Sequence, residues 1–242
     1  MPDALTILSL LIEQIAHCLD EPSLVDLLRQ TSFLTGAEAA FFASWFCQGT
    51  ALASCHFLLA CDPRWGLAYD EACCLDADPW LRYAMRHSAP LPSDRIACMD
   101  ERERAVVELA TSFGFHSAAL VPAPAPSGST HGGLLVLGSS RPAFFEGGRF
   151  HDLKVIARNI AMELQERHAD LLRAAFVRER HITPADLRLL ARAREGTSTK
   201  ALAGFEGLSP GAVDARFRRL NAKFGSPNRE TTARLAAGLG LL

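Results

Sequence analysis

Residues 198–225 read STKALAGFEGLSPGAVDARFRRLNAKFG. The pattern is two short helices joined by a tight turn at Gly207-Leu208. Ser198 and Ser209 stand where a capping hydroxyl is wanted, and Pro210 takes the first helical position, where an N–H would have no partner anyway. In the second helix Val213, Phe217, Leu220 and Phe224 recur at helical spacing as one buried stripe. Its other side carries Ala212, Ala215, Arg216, Arg219 and Lys223.

Working outward, Thr183 caps a helix beginning at Pro184, with Leu187, Leu190 and Ala191 inward and Gly196 as its end. In the helix after Ser198, Ala201, Leu202 and Phe205 face inward. A fourth helix over residues 229–239 closes an all-α bundle spanning 182–242. Residues 175–242 hold 12 Lys+Arg against 6 Asp+Glu, a balance of +6, whereas the rest of the chain holds 13 against 21. A basic end on an acidic body predicts two domains and an anionic partner for the smaller one. A basic amphipathic helix is by itself usually a solvated face. Together, the turn, the cap and the local charge point to double-stranded DNA, with small residues allowing close approach and arginines meeting guanine edges or phosphates.

Upstream, Leu8, Leu11, Ile15 and Cys18 mark a helix over 4–18, and a second follows Glu21-Pro22 with Leu24, Leu27 and Leu28 inward. Gly36 ends it. AAFFASWFC (39–47) and ALASCHFLLA (51–60) read as a hairpin about Gln48-Gly49. Residues 63–87 are helical but broken at Pro79, and 100–113 form another helix, with Val106, Val107, Leu109 and Ala110 inward behind a solvated DERER start. SAALVPA (117–123) and GGLLVLGSS (132–140) are two further strands around a Pro/Gly/Ser loop. A long helix over 146–172 carries Leu153, Ile156, Ile160, Leu164 and Leu171; that stripe serves either the core or a second copy of the chain. The order predicts an α/β domain, an antiparallel sheet sandwiched between helices (α/β/α) with a small-molecule pocket between layers. Charged residues 173–181 read as a linker.

The seven cysteines include no CxxC pair, so neither a disulfide framework nor a metal site is expected. His56 and His116 read as core or edge residues, no nucleophile–base pair stands out, and no enzyme is expected. With no basic leader and no apolar run of spanning length, the expectation is a cytoplasmic protein without membrane contact.

The stretch 182–242 resembles the LuxR-type helix-turn-helix along its length, through its Thr-Pro start, Gly196, Leu202-Ala203, Leu208-Ser209, Val213, Lys223, Asn228-Arg229 and the Gly-Leu ending. Asp186, Ala212 and Arg216 stand where Glu, Thr and His are usual, Gly204 weakens the preceding helix, and Asp214 adds an acid beside the reading face. The resemblance implies a DNA-contacting set of Lys200, Ser209, Ala212, Ala215, Arg216, Arg219, Lys223 and Arg229. It also implies a homodimer on a palindromic promoter site, and RNA polymerase as a further partner.

Ahead of it, Trp65, Tyr69 and Asp78-Pro79 match the spacing of the autoinducer-binding domain of LuxR-type quorum sensors. On spacing alone the better reading is two core aromatics and a helix cap before Pro79. An indole N–H and a phenol O–H can donate to carbonyls, and a carboxylate accepts from an amide. The resemblance therefore assigns an acyl-homoserine lactone's ring carbonyl to Trp65, its amide N–H to Asp78 and its amide carbonyl to Tyr69, with Ser139 near the acyl head. Ser93 replaces the family's usual tryptophan and Trp80 a small residue, so the site is expected to have altered specificity. No cofactor is implied beyond the small signal. The implied layout is a signal-binding and dimerisation domain at 1–172, a linker at 173–181 and a DNA-binding domain at 182–242. Two other readings stay open, a regulator that needs no ligand and an interaction protein forming inactive heterodimers with related regulators.

Overall fold

A computed structural model describes residues 4–48, 51–124 and 131–242. The chain divides into two units, the larger formed mainly by residues up to 171 and the smaller mainly by those from 172.

In the larger unit α1 (Ala4–His17) and α2 (Glu21–Thr35) precede β1 (Ala39–Gln48) and β2 (Ala51–Ala60). Asp20 starts α2 by accepting from the Ser23 N–H, and Gly36 ends it in the left-handed conformation (φ 72°), which Gly adopts without strain. Next come α3 (Arg64–Glu71), a 3₁₀ turn at Cys74–Ala77, α4 (Pro79–Ala84), β3 (Leu91–Pro92), α5 (Glu101–Ser112), β4 (Ser117–Pro124), β5 (His131–Ser139) and α6 (Gly147–Glu179). The sheet order is β2-β1-β5-β4-β3, with β1–β5, β5–β4 and β4–β3 antiparallel. The two-residue β3 escaped the sequence pattern. Its Pro92 lacks an N–H and sits on the edge strand, where none is needed.

Strand alternation sorts the core. Ala40 and Phe42, Ala119 and Val121, and Leu135 and Leu137 face α1, α2 and α6. Phe41 and Ala43, Ala118 and Leu120, and Leu134 and Val136 face α3, α4 and α5. The strands are covered on both sides, so the expected α/β/α layering is present. Gly138 is required at its place because a Cβ there would stand 2.3 Å from the Phe115 ring. On α6, Leu153, Ala157, Ile160, Ala161 and Leu164 are buried, but Ile156 is 37% exposed and borders an open groove of about 640 Å³ with Leu8, Leu34 and Arg149. The helix also continues to Glu179, through the stretch read as a linker, because RAAFVRE contains no helix breaker. The Pro/Gly/Ser loop lies at 125–130, outside the described residues.

The smaller unit packs α7 (Pro184–Arg194), α8 (Thr199–Glu206), α9 (Pro210–Phe224) and α10 (Arg229–Gly238) around Leu190, Leu202, Phe217 and Leu220, with Phe176 and Val177 from the end of α6. Thr183 and Asp186 form a reciprocal capping box at the start of α7. The α9 stripe is buried as expected. The inward stripe of α7 holds at Leu190 and, half-buried against the same core, Leu187, whereas that of α8 holds only at Leu202. In α7 the buried leucines are Leu189 and Leu190, while Leu187 and Ala191 are half-buried. In α8 the buried pair is Leu202 and Ala203, while Ala201 is exposed and Phe205 is 62% exposed beneath the Arg192 guanidinium. Short helices hold too few turns for a stripe to select one phase over its neighbour.

Candidate functional site

Asp78 is the N-cap of α4, placed there because Pro79 holds it in the extended region. Its Oδ1 accepts the backbone N–H groups of Trp80 (2.7 Å) and Leu81 (3.2 Å), and its Oδ2 accepts the Tyr69 hydroxyl at 2.8 Å. The carboxyl is buried. Burial pushes its pKa up against the opposing pull of those three hydrogen bonds, and burial with the neighbouring Asp78 pushes the Tyr69 phenol up as well. Tyr69 therefore stays a donor. One turn before it on α3, Trp65 is 2% exposed, and its Nε1–H has no hydrogen-bond partner among the described residues. An orphaned buried donor costs about 1–3 kcal/mol. Around these groups lies an aromatic cluster. Phe41 stacks on Trp65 at 4.7 Å and 20°, and lies near parallel to Trp80 at 6.4 Å and 16°, while Phe57 and Phe115 meet Trp65 and Phe41 from the side.

Trp65, Tyr69, Asp78 and Trp80 thus come together on one face of the sheet. Ser93 sits at the edge, its Oγ accepting the Ala118 N–H at 3.1 Å. Ser139 does not join them. It shares strand parity with Leu135 and Leu137, so it points to the opposite face, where its hydroxyl bonds Glu38 at 3.3 Å and it accepts from the Arg141 N–H. Sequence reasoning missed two supports. Phe41 looked like one strand aromatic among several, although its parity with Trp45 marks the site face. Glu103 looked solvated within DERER but is buried, held by Arg82 in a two-pronged ion pair at 2.7 and 2.9 Å. Those bonds hold its carboxyl below the usual range and fasten α5 to α4. Ser44 and His168 also meet, Oγ to Nδ1 at 2.9 Å. At 3% and 1% exposure the pair has no access to a substrate and serves as packing.

The basic face of α9 is divided. Arg216 Nε donates to Asp186 Oδ1 at 2.7 Å and its Nη2 reaches Thr183 Oγ1 at 3.3 Å. Lys223 Nζ donates to the His181 carbonyl at 2.6 Å and lies 3.8 Å from Asp186. Burial pushes the Asp186 carboxyl up, but the Thr183 N–H and Arg216 outweigh it and hold its pKa low. Both cations, expected in a groove, are therefore tied to the start of α7, because they flank the buried stripe rather than oppose it. Arg229 donates to Thr199 Oγ1 at 3.0 Å, and Ser209 is occupied as a cap, accepting from the Ala212 N–H. Lys200 and Arg219 are exposed, and Ala212 and Ala215 are half-buried. Arg218, not singled out from the sequence, is exposed with no ion pair or hydrogen bond among the described residues.

The sequence family described as autoinducer binding domain matches residues 20–167, the span that carries the Trp65–Tyr69–Asp78 site. The chain belongs to the autoinducer-binding domain family. The resemblance to LuxR-type quorum-sensing regulators read from the sequence rests securely on that match. The structure is similar to Escherichia coli SdiA, with a TM-score of 0.73 at 15% identity over 99% of each chain. It is also similar to SdiA in complex with octanoyl-rac-glycerol, with a TM-score of 0.67 at 13% identity over 100% of this chain and 97% of that one. A third match is CepR2 of Burkholderia cenocepacia, an N-acylhomoserine lactone dependent LuxR family transcription factor, with a TM-score of 0.57 at 14% identity over 69% of this chain and 98% of that one. Identities this low establish a shared fold. No curated protein sequence matches the chain. The family's small-molecule signals, rather than a classical cofactor, are the ligands to which an autoinducer-binding domain is addressed.

Proposed function

We propose that the chain is a transcriptional regulator of quorum-sensing type, whose C-terminal helices bind double-stranded DNA under the control of a small signal. The observation that carries the signal half is the Trp65 Nε1–H, buried without a partner among the described residues beside the Asp78–Tyr69 pair. Such a donor is satisfied by a ligand carbonyl, and the remaining lone pair of Asp78 Oδ2 suits an amide N–H. An acyl-homoserine lactone supplies both. Residues 1–172 act as sensor and dimerisation domain, 173–181 as the connection and 182–242 as the DNA-binding domain, in the cytoplasm. A ligand that binds only the folded sensor stabilises it by mass action. Two copies would hold their α9 helices about one DNA turn apart on a palindromic site.

The test uses the 242-residue chain expressed with and without N-acyl-homoserine lactones of graded chain length. The expected result is a higher melting temperature and tighter duplex binding with one of them, and loss of that response in Asp78→Asn. Duplex binding unaffected by every lactone and by Asp78→Asn would sink the sensor reading. One observation favours a regulator that needs no signal: Phe41, Trp65 and Trp80 already pack ring against ring across the site. In that case Phe41→Ala destabilises the chain and no lactone restores it.

A further inference from the structure

With Arg216 and Lys223 engaged on α7, the side chains that α9 presents to solvent are different from those the basic pattern picks out. Projected at about 100° per residue, Ala215 stands opposite the buried stripe of Val213, Phe217, Leu220 and Phe224. Asp214 and Arg218, one turn apart, share the flank away from Asp186. Both are exposed, and neither makes a hydrogen bond or ion pair among the described residues, not even with the other. Gly211, Ala215 and Ala222 surround them, so the backbone can come close to a groove floor.

We infer that Asp214 and Arg218 are the base-reading pair of α9, Asp214 accepting from a cytosine N4 amino group and Arg218 donating to guanine O6 and N7. This deepens the DNA-binding reading above and rests on it. Carboxylates accept from cytosine, arginine spans the guanine edge, and no other base offers the same pattern in the major groove. A carboxylate is repelled by phosphates, so a short acid surrounded by small residues gains contact only at the groove floor, whereas a long arginine reaches the floor from further out. The two positions are separated by four residues, about 6 Å of helix rise. That corresponds to about two base-pair steps, so each half-site should contain a C and a G about two positions apart.

The test is selection from random duplexes at fixed low salt with the full chain and with Asp214→Asn, Asp214→Ala and Arg218→Ala, each first checked for an unchanged melting temperature. The wild type should enrich the C and the G. Asparagine pairs with adenine, so Asp214→Asn should admit A where the wild type selects C. Asp214→Ala should lose discrimination there by about tenfold, and Arg218→Ala should lose it at the G by a similar factor. If both Asp214 variants bind every duplex more tightly with unchanged base preference, the carboxylate is a general repellent and the inference is overturned. Failure of the wild type to bind any duplex at low salt would instead overturn the DNA-binding reading itself.

Discussion

The site around Asp78 and the outer face of α9 treat polar groups in opposite ways. At Asp78 the carboxylate, the Tyr69 hydroxyl and the capped N–H groups are buried and matched to one another, while the fully buried Trp65 Nε1–H has no partner among the described residues. On α9 the half-buried Arg216 and Lys223 are matched inward, while the exposed Asp214, Arg218 and Arg219 have no partner among the described residues. Leaving a group unmatched is inexpensive in water and costly in a core. One orphan at Asp78 is therefore informative, whereas on α9 being unmatched only shows which groups are available.

The sharpest way to break this comparison is Asp78→Ala. It removes the cap of α4 and leaves two N–H groups and the Tyr69 hydroxyl without an acceptor, so unfolding free energy should fall by about 3 kcal/mol. Asp78→Asn keeps a capping oxygen and should lose well under half of that while still losing any lactone response. Equal losses for the two would mean that the carboxylate charge, not its hydrogen bonds, holds the site.

How far each region could be read in advance follows from the range of its interactions. Trp65 and Tyr69 are one helical turn apart, and Asp78 is fixed by Pro79, so their meeting was encoded locally. Phe41 joins them from a strand and Glu103 from α5, and nothing in DERER distinguishes the acid that Arg82 will bury. On α9 the stripe was legible because four apolar residues set its phase. The pairing of Arg216 was not legible because its partner Asp186 lies 30 residues upstream, and helical periodicity says nothing about a neighbouring helix. Phe205 failed for a related reason, since a two-turn helix does not fix its own phase.

A second effect, nearly as large, belongs to the other face of the sheet. His168 is enclosed by Ser44, Gln165 and the Phe42 ring, with Glu21 at 3.6 Å from Nε2 and His56 near enough to oppose a second positive charge. Burial, aided by His56, lowers its pKa to about 4. The unfolded chain takes up a proton near pH 6.5 that the folded chain refuses until about pH 4, so stability should decline as pH falls through that window. The decline should approach 3 kcal/mol, at about 1.4 kcal/mol per pH unit at its steepest. Asp78, with its raised pKa, works in the opposite direction on acidification. The measurement is therefore the difference between wild type and His168→Gln in denaturant unfolding from pH 7 to 4, and a flat difference would remove His168 from the account.

The smallest effects test the division of the α9 face. Arg216→Ala strips a buried carboxylate of its main partner, and Asp186 then keeps only the Thr183 N–H and the more distant Lys223. A loss of about 1–2 kcal/mol is expected in thermal unfolding, with little change in how duplex binding depends on salt. Arg219→Ala should do the reverse. Melting should stay where it was, while the slope of log affinity against log salt drops by about one, as for one lost phosphate contact. Comparing the two variants matters more than either number, because a folding defect lowers apparent affinity without altering the slope. A shallower slope in Arg216→Ala and none in Arg219→Ala would mean that Arg216 leaves Asp186 to meet DNA. The inward pairing would then be a resting arrangement that the nucleic acid displaces.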